Sequence, residues 1–531
     1  MKKRLASFLT KEIKKKSGFI SSSSKLNPEV TSLEYDSRNV NSGSLFFALP
    51  GLHTDGSLYI DDAINRGAVV IVHENEIVKE KPDVVYIKVK NARYAMSPIS
   101  ASFYDFPSQQ LFVTGVTGTE GKSTTVYLIW QLLTLLGKKA GFISTVQHSL
   151  GAEEKWNTEH QTTPEAPVVQ RLLREMADNG CEYAVLEASS HGLSPKTNRL
   201  GDVSFCSAVL TNITHEHLEF HGTWEQYRED KANLFRALDC YTQDKKLKTF
   251  EPFGVINADD KASRFFAKAT CQKTFTYSPA GRDGDIKLEI IESSSQGNWY
   301  SISISSEKEH IDIRDKLPGA FNSGNVMASL LVVSNLLQIK LRAITPYVNR
   351  LKPVKGRMTS INKGQPFEVV VDYAHTPSSF QAIFPPLRAR LDKTNKKIIS
   401  LFGSAGERDT QKRSEQGNIA ANYSDIIILT DEDPRGENPM DILEEIAKGV
   451  YAFNNDTPST AIGKVIFKCD ENLFLIPDRP CAIRKALSLA REGDLVILLG
   501  KGHENSIIYK DKTMPFDEIG EVEKALGEMS A

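Results

Sequence analysis

The chain predicts an α/β protein built on largely parallel sheets, and three observations carry that expectation. Short apolar runs recur at Ala68–His73, Leu111–Thr114, Tyr183–Glu187, Ser207–Thr211, Gly254–Asn257, Glu368–Asp372, Ile398–Phe402, Ile426–Thr430 and Leu495–Leu499. Strands this uniformly apolar belong to sheets covered on both faces. Between many of them lie stretches of helical periodicity, including Thr124–Leu136, Pro167–Ala177 and Met440–Ala447, and that alternation gives parallel sheets flanked by helices. Finally, 531 residues that are 40% hydrophobic can fill several cores, which suggests three domains of roughly 100 to 200 residues each. Boundaries fall near Ser108, before the strand that feeds a glycine-rich loop, and near Pro353, giving domains 1–108, 109–352 and 353–531.

Charge narrows the partners. With 67 acidic against 65 basic residues there is no global field to draw the chain to nucleic acid or to an anionic membrane, so any phosphate must be held locally. The lysine-rich stretch Met1–Ser17 has only short apolar runs broken by charge, which fits neither a signal peptide nor a membrane span; a cytoplasmic, monomeric enzyme is expected. Cys181, Cys206, Cys240, Cys271, Cys469 and Cys481 form no CxxC pair, so reduced thiols are expected rather than a disulfide frame or a zinc site. Ser21–Ser24, the one low-complexity patch, reads as a loop.

The most informative segment runs from Leu111 to Ser123 and reads as a strand, a glycine-rich turn and a helix from Thr124. Its pattern is GxxGTxGKS, from Gly115 through Gly118, Thr119, Gly121 and Lys122 to Ser123, followed by Thr124. Glycines let backbone N–H groups face an anion closely, and a helix N-terminus adds positive potential. Lys122 neutralises terminal phosphates and Ser123 offers a hydroxyl to Mg²⁺, so ATP is the expected nucleotide. Valine at position 116 departs from the strict Walker spacing.

This loop resembles that of the Mur ligase family, and later segments extend the resemblance in order over nearly the whole chain. They are Glu187–His191, Asn212–Leu218, Asn257–Asp260, Leu317–Asn322 with Asn325, Gly356–Met358, Asp372–Pro377, and Arg408-Asp409 followed by Lys412-Arg413. Asp36-Ser37-Arg38, Thr162-Thr163 and Gly500–Glu504 point to the family branch that adds a diamino acid. The resemblance implies a three-domain Mur ligase architecture, with a central P-loop-type parallel sheet domain and a Rossmann-like C-terminal domain. It further implies ATP-dependent addition of meso-diaminopimelate, lysine or ornithine to UDP-MurNAc-L-Ala-D-Glu through an acyl phosphate, in peptidoglycan synthesis.

Such a reaction forces two anions together, so metal ions and cationic donors are needed. Glu187 ends an apolar strand on the crevice side of the sheet, within reach of a Mg²⁺ held by Ser123, and is expected to be a metal ligand. By resemblance His217 helps hold a second Mg²⁺, with Glu216 where the family usually has aspartate. Lys231, an ordinary helix lysine by composition, resembles the family lysine that becomes a metal-proximal carbamate. Asn257, Asp372 and Arg357 resemble nucleotide-contacting positions, and Glu120 replaces the loop's usual asparagine. Ser37, Thr162, Thr163, Ser190 and Arg199 offer hydroxyls and one guanidinium suited to the diphosphate and carboxylates of the muramoyl substrate.

The diamino acid is expected at Glu432-Asp433-Pro434-Arg435, after a strand end. Arg435 suits a distal carboxylate, Asp433 suits a free ammonium, and Glu504, reached from Gly500, is a partner for the distal amine; Arg408 is assigned to the α-carboxylate end by resemblance. Two other functions stay open on the sequence. One is another ligase of the same fold, adding alanine or glutamate or extending folate; the other is a nucleotide-binding regulator without chemistry.

Overall fold

Apolar strands fall largely where composition puts them. Tyr183–Glu187, Glu368–Asp372, Ile398–Phe402 and Leu495–Leu499 are strands over the residues expected, while the strand before the glycine-rich loop runs from Phe112 to Thr117. The computed structural model describes every residue except 52–54, 78–79, 158–160, 215–217, 245–248, 295–296, 306–307, 457–466 and 531. The chain divides into two compact units: Met1–Ile290, Tyr300–Ile313 and Ser323–Asn349 form one, and Ile291–Trp299, Arg314–Asn322 and Arg350–Ala531 form the other.

Among the described residues the first unit holds, besides the two-stranded pair of Lys3–Arg4 with Glu29–Val30, two main sheets. The smaller has the order Phe19–Ser22, Val85–Val89, Val70–His73, Ser44–Phe47 and Ser32–Glu34. Its last four strands are parallel, and the first is antiparallel to Val85–Val89. Ser21 and Ser22 therefore belong to an edge strand, not the expected loop, because their backbone pairs with Ile87 and Lys88 whatever their side chains prefer. The larger sheet has a parallel centre in the order Ala140–Ile143, Tyr183–Glu187, Phe112–Thr117, Ser207–Leu210, Phe253–Asn257 and Lys273–Ser278. Phe112–Thr117 thus sits between two parallel neighbours, which aims its C-terminal end, and the loop that follows, at the crevice edge of the sheet.

The helix after that loop spans Lys122–Leu135, two residues earlier than expected. Gly121, at φ 80°, makes the entry turn, so Lys122 and Ser123 lie in the first helical turn and not before it. Beneath, Val169, Leu173, Met176, Phe205, Leu234 and Phe235 pack one face of the sheet.

The second unit is built on a six-stranded sheet in the order Thr359–Ile361, Glu368–Asp372, Leu495–Leu499, Ile398–Phe402, Ile426–Leu429 and Leu473–Leu475. All but the first strand are parallel. A core lies on each face: Phe380, Phe384, Ile446 and Val450 on one, Ile483, Leu487, Val522 and Leu526 on the other. All six cysteines are free thiols, as expected. Among the described residues no single helix is long and apolar enough to cross a membrane.

Candidate active site

The glycine-rich turn is fixed by a neighbouring strand end. Asn212, just past Ser207–Leu210, accepts the Thr119 N–H on its carbonyl at 2.8 Å and the Glu120 N–H on its Oδ1 at 2.9 Å. Its Nδ2 donates to the Glu120 carbonyl at 3.1 Å, to which Thr211 Oγ1 also donates at 2.6 Å. The turn is pressed so closely that side chains are excluded at two points. A Cβ on Gly118, at φ 148°, would lie 1.9 Å from Thr211 Oγ1, and one on Gly121 would lie 2.6 Å from Asn325 Oδ1. Lys122 Nζ donates to the Thr119 carbonyl at 2.7 Å, so the cation sits over the turn itself. Thr124 and Glu120 are half-buried at its rim, and Gly115 lies inside the strand.

Ser123 Oγ donates to Glu187 Oε2 at 2.9 Å, and Thr145 donates to the same oxygen through its N–H at 2.8 Å and its hydroxyl at 2.9 Å. The carboxylate is 3% exposed, so it is held rigidly at the strand end. A hydroxyl and a carboxylate under a helix N-terminus form a hard oxygen donor set, which suits Mg²⁺ completed by phosphate oxygens and water. Among the described residues no three His, Cys, Asp or Glu side chains converge as a closed metal cage. His217 and Glu216 lie outside the described residues.

Lys231 departs from its bland expectation as a solvated helix lysine. It is 2% exposed in the helix Trp224–Arg236, its Nζ donates to the Gly118 carbonyl at 2.6 Å, and it lies 4.6 Å from the centre of the Tyr227 ring. Periodicity cannot report this, because the helix packs against the glycine-rich turn. Asn257 sits by the same turn, donating to the Thr211 carbonyl at 2.7 Å and capping Asp259 N at 3.0 Å.

Part of the expected muramoyl-binding set converges behind Glu187. Thr163 Oγ1 donates to the Glu187 carbonyl at 2.8 Å and accepts from Ser189 N at 3.0 Å, beside buried Ser190. Arg199 donates to the Thr163 carbonyl at 2.8 Å and to Glu165 Oε1 at 2.9 Å, an oxygen that Arg93 also reaches at 3.0 Å. Arg199 therefore braces the Thr162–Thr163 loop, with its charge already met by Glu165. Thr162 is half-buried there, whereas Ser37 is placed apart, in the short helical turn Ser37–Asn39 of the smaller sheet.

In the second unit, Asp433, Arg435, Gly500 and Glu504 do come together. Lys501, fully buried, donates to Asp433 Oδ1 at 2.8 Å and to Glu504 Oε2 at 2.5 Å. Burial works against its charge, but the Glu504 and Asp433 carboxylates outweigh burial and hold the ammonium above its ordinary pKa. Neither Asp433 nor Glu504 is thus a free carboxylate awaiting a substrate amine, as the sequence suggests; the chain's own lysine meets both. Arg435 is held by its backbone, with φ 54° and its N–H on the Ile508 carbonyl at 2.9 Å, while Nε is buried with no hydrogen-bond partner among the described residues. Gly500 faces Glu432. Arg408 is exposed on a separate loop.

Nearby, Asp372 accepts from Met358 N at 2.6 Å and Ala374 N at 2.7 Å, and burial raises its carboxyl against the pull of Arg357. Arg357 lies 4.6 Å from the centre of the Tyr373 ring, whose hydroxyl approaches Glu504 at 3.4 Å. His503, also against Tyr373, is pushed well below its ordinary pKa by burial and by Arg357 and Lys501.

Three Mur ligase profiles match this chain: the Mur ligase family catalytic domain over residues 29–104, the middle domain over 116–333 and the glutamate ligase domain over 356–502. The chain is 50% identical to the UDP-N-acetylmuramyl-tripeptide synthetase of Treponema denticola, covering 94% of each chain. The chain belongs to the Mur ligase family. It is also 34% identical to the UDP-N-acetylmuramoyl-L-alanyl-D-glutamate--2,6-diaminopimelate ligase of Clostridium tetani, over 98% of this chain and 99% of that one. A solved 2,6-diaminopimelate ligase of this type superposes with TM-score 0.59 at 27% identity, covering 94% and 96% of the two chains. MurF from Acinetobacter baumannii has the same fold, with TM-score 0.64 at 16% identity over 99% of each chain. The three-domain Mur ligase architecture and the α/β class are as the sequence predicts.

Against that Mur ligase frame, several residues of the site escaped the sequence. Thr145 follows the end of the strand Ala140–Ile143, so the strand-end rule could have flagged it. The same rule reaches Lys501, two residues past the end of Leu495–Leu499, whereas Glu165 gave no such signal, since it shows its role only through partners distant in sequence.

Proposed function

We propose that this chain joins a free basic diamino acid to UDP-MurNAc-L-Ala-D-Glu, as an ATP-dependent carbon–nitrogen ligase of peptidoglycan synthesis. The observation that carries it is the meeting of Ser123 and Glu187 at 2.9 Å beneath the Lys122 turn, a place for a metal–triphosphate at the edge of a parallel sheet. Bound ATP and Mg²⁺ supply the phosphoryl group that activates the substrate carboxylate and the charge that lets two anions approach.

The chain's own residues do the rest. Backbone amides of the turn and Lys122 hold the phosphate end, and Ser123 and Glu187 orient the metal. Lys231, as a carbamate, would join them, and His217 would hold a second Mg²⁺. Asn257, Arg357 and Asp372 contact nucleotide. Thr162, Thr163, Ser190, Arg199 and Ser37 position the muramoyl substrate. In the second unit Arg435 and Arg408 take carboxylates of the diamino acid, while Asp433 and Glu504, neutralised in part by Lys501, shape its amine end. The division at residues 108 and 352, a monomeric state and a cytoplasmic location are parts of the same proposal.

The test is to incubate the protein with ATP, Mg²⁺ and UDP-MurNAc-L-Ala-D-Glu, offer diaminopimelate, lysine and ornithine separately, and weigh the product. One tripeptide product with stoichiometric ADP is expected. Phosphate release without any peptide product, or none at all, refutes the assignment.

A further inference from the structure

In the second unit, Ile426–Leu429 and Leu495–Leu499 both pair with Ile398–Phe402, from opposite sides. Their ends therefore lie two strand spacings apart, roughly 9–10 Å, with no ladder joining them. The loops leaving those two ends carry Glu432–Arg435 and Gly500–Glu504. Arg479 spans the gap between their main chains. Arg479, the first residue of the helix Arg479–Leu489, donates through Nη1 to the Asp431 carbonyl at 2.9 Å and through Nη2 to the Leu499 carbonyl at 2.8 Å.

Its other edge is gripped by Glu518, which opens the final helix Glu518–Ser530. Nη2 donates to Glu518 Oε1 at 2.8 Å and Nε to Oε2 at 3.0 Å, and both side chains are 0% exposed. A buried ion pair of this kind is weak evidence for stability, since apolar replacements are often neutral or stabilising. What an apolar residue cannot do is hold two main-chain carbonyls at a fixed separation with one planar fork. Tyr509 reaches the Asp431 side chain and Lys501 reaches that of Asp433, but Arg479 holds the main chain of both loops.

We propose that Arg479, oriented by Glu518, is a positioning pair that sets the spacing of the two loops gripping the incoming amino acid, and thereby ties the C-terminal helix to that site. This rests on the diamino-acid ligase function proposed above.

The test uses the full chain and two variants. Arg479→Lys keeps the buried charge but loses the planar fork; the double variant R479M/E518L removes charge from both positions while filling the space. Both are checked for folding by circular dichroism and thermal denaturation. In each, the KM for the diamino acid is expected to rise about tenfold or more, with the KM values for ATP and the nucleotide-sugar dipeptide within about twofold of wild type. Restoring arginine and glutamate restores the amino-acid KM. A folded variant with an unchanged amino-acid KM, or one in which all three KM values rise together, overturns the pair as a positioning device; so does loss of fold in both, which would make it purely structural. Wild-type protein that makes no tripeptide with any diamino acid overturns the functional proposal, and the positioning pair with it.

Discussion

Ser123 and Glu187, 64 residues apart in sequence, meet at 2.9 Å where the first helical turn after the glycine-rich loop faces a neighbouring strand end. Thr145 supplies two more hydrogen bonds to the same carboxylate oxygen, so the Glu187 carboxylate is fixed between the first turn of a helix and the ends of two strands of one sheet.

Glu187→Gln is the direct probe of that geometry. The amide keeps the shape and an acceptor but gives up the charge, so ATP turnover is expected to fall about a hundredfold, with a higher Mg²⁺ requirement. Phosphate release titrated against Mg²⁺ measures both. Retained turnover with an unchanged Mg²⁺ midpoint would remove Glu187 from the metal site.

Gly118→Ala tests the closeness of the turn. At φ 148° and with Thr211 Oγ1 1.9 Å from the new Cβ, the backbone must shift, and the Lys231 bond to the Gly118 carbonyl shifts with it. A loss of about 2 kcal/mol in stability and of measurable nucleotide binding is expected. Calorimetric titration with a non-hydrolysable ATP analogue reads the second effect, and near-wild-type affinity would show that the turn does not hold phosphate.

How much of this the sequence discloses depends on the range of the interaction. Glu368–Asp372, Ile398–Phe402 and Leu495–Leu499 are legible because a strand buried on both faces is largely apolar, as in the run Val369–Val371, in Ile398, Ile399, Leu401 and Phe402 around the one serine, and in all of Leu495–Leu499. The phosphate loop is legible because glycine, lysine and serine must be adjacent to do their work. Ser21–Ser22 misleads because a strand edge is secured by its partner's backbone, and serine composition says nothing about that. Burial of Lys231 and the occupation of Asp433 by Lys501 are invisible for a related reason: each depends on a partner distant in sequence.

Lys231 offers a chemical test that a merely structural lysine fails. If its Nζ carries a carbamate, Lys231→Ala leaves a gap that a short carboxylate can fill, so acetate or formate is expected to restore part of the lost turnover, and wild-type activity should depend on bicarbonate. Steady-state rates with and without each anion settle the matter. Indifference to all of them returns Lys231 to a hydrogen-bonding role toward the Gly118 carbonyl.

Asp431 makes stability depend on pH with a definite sign. It is 4% exposed, and burial raises its carboxyl from 3.8 to about 6, opposed by the Tyr509 hydroxyl bonded at 3.0 Å and by Arg479, and aided by Asp478. Between those two values the folded protein holds a proton that the unfolded chain has released, so this group's contribution to stability falls as pH rises from about 4 to about 6 and is constant above. Asp431→Asn cannot titrate. Subtracting its denaturant-unfolding free energy from that of wild type, at intervals between pH 4.5 and 7.5, therefore isolates the group: the difference should decline to about pH 6 and then level. A difference that is flat throughout, or that climbs with pH, would mean the Asp431 carboxyl is ionised in the folded protein, and that Arg479 acts on it as a counter-ion and not only on its carbonyl.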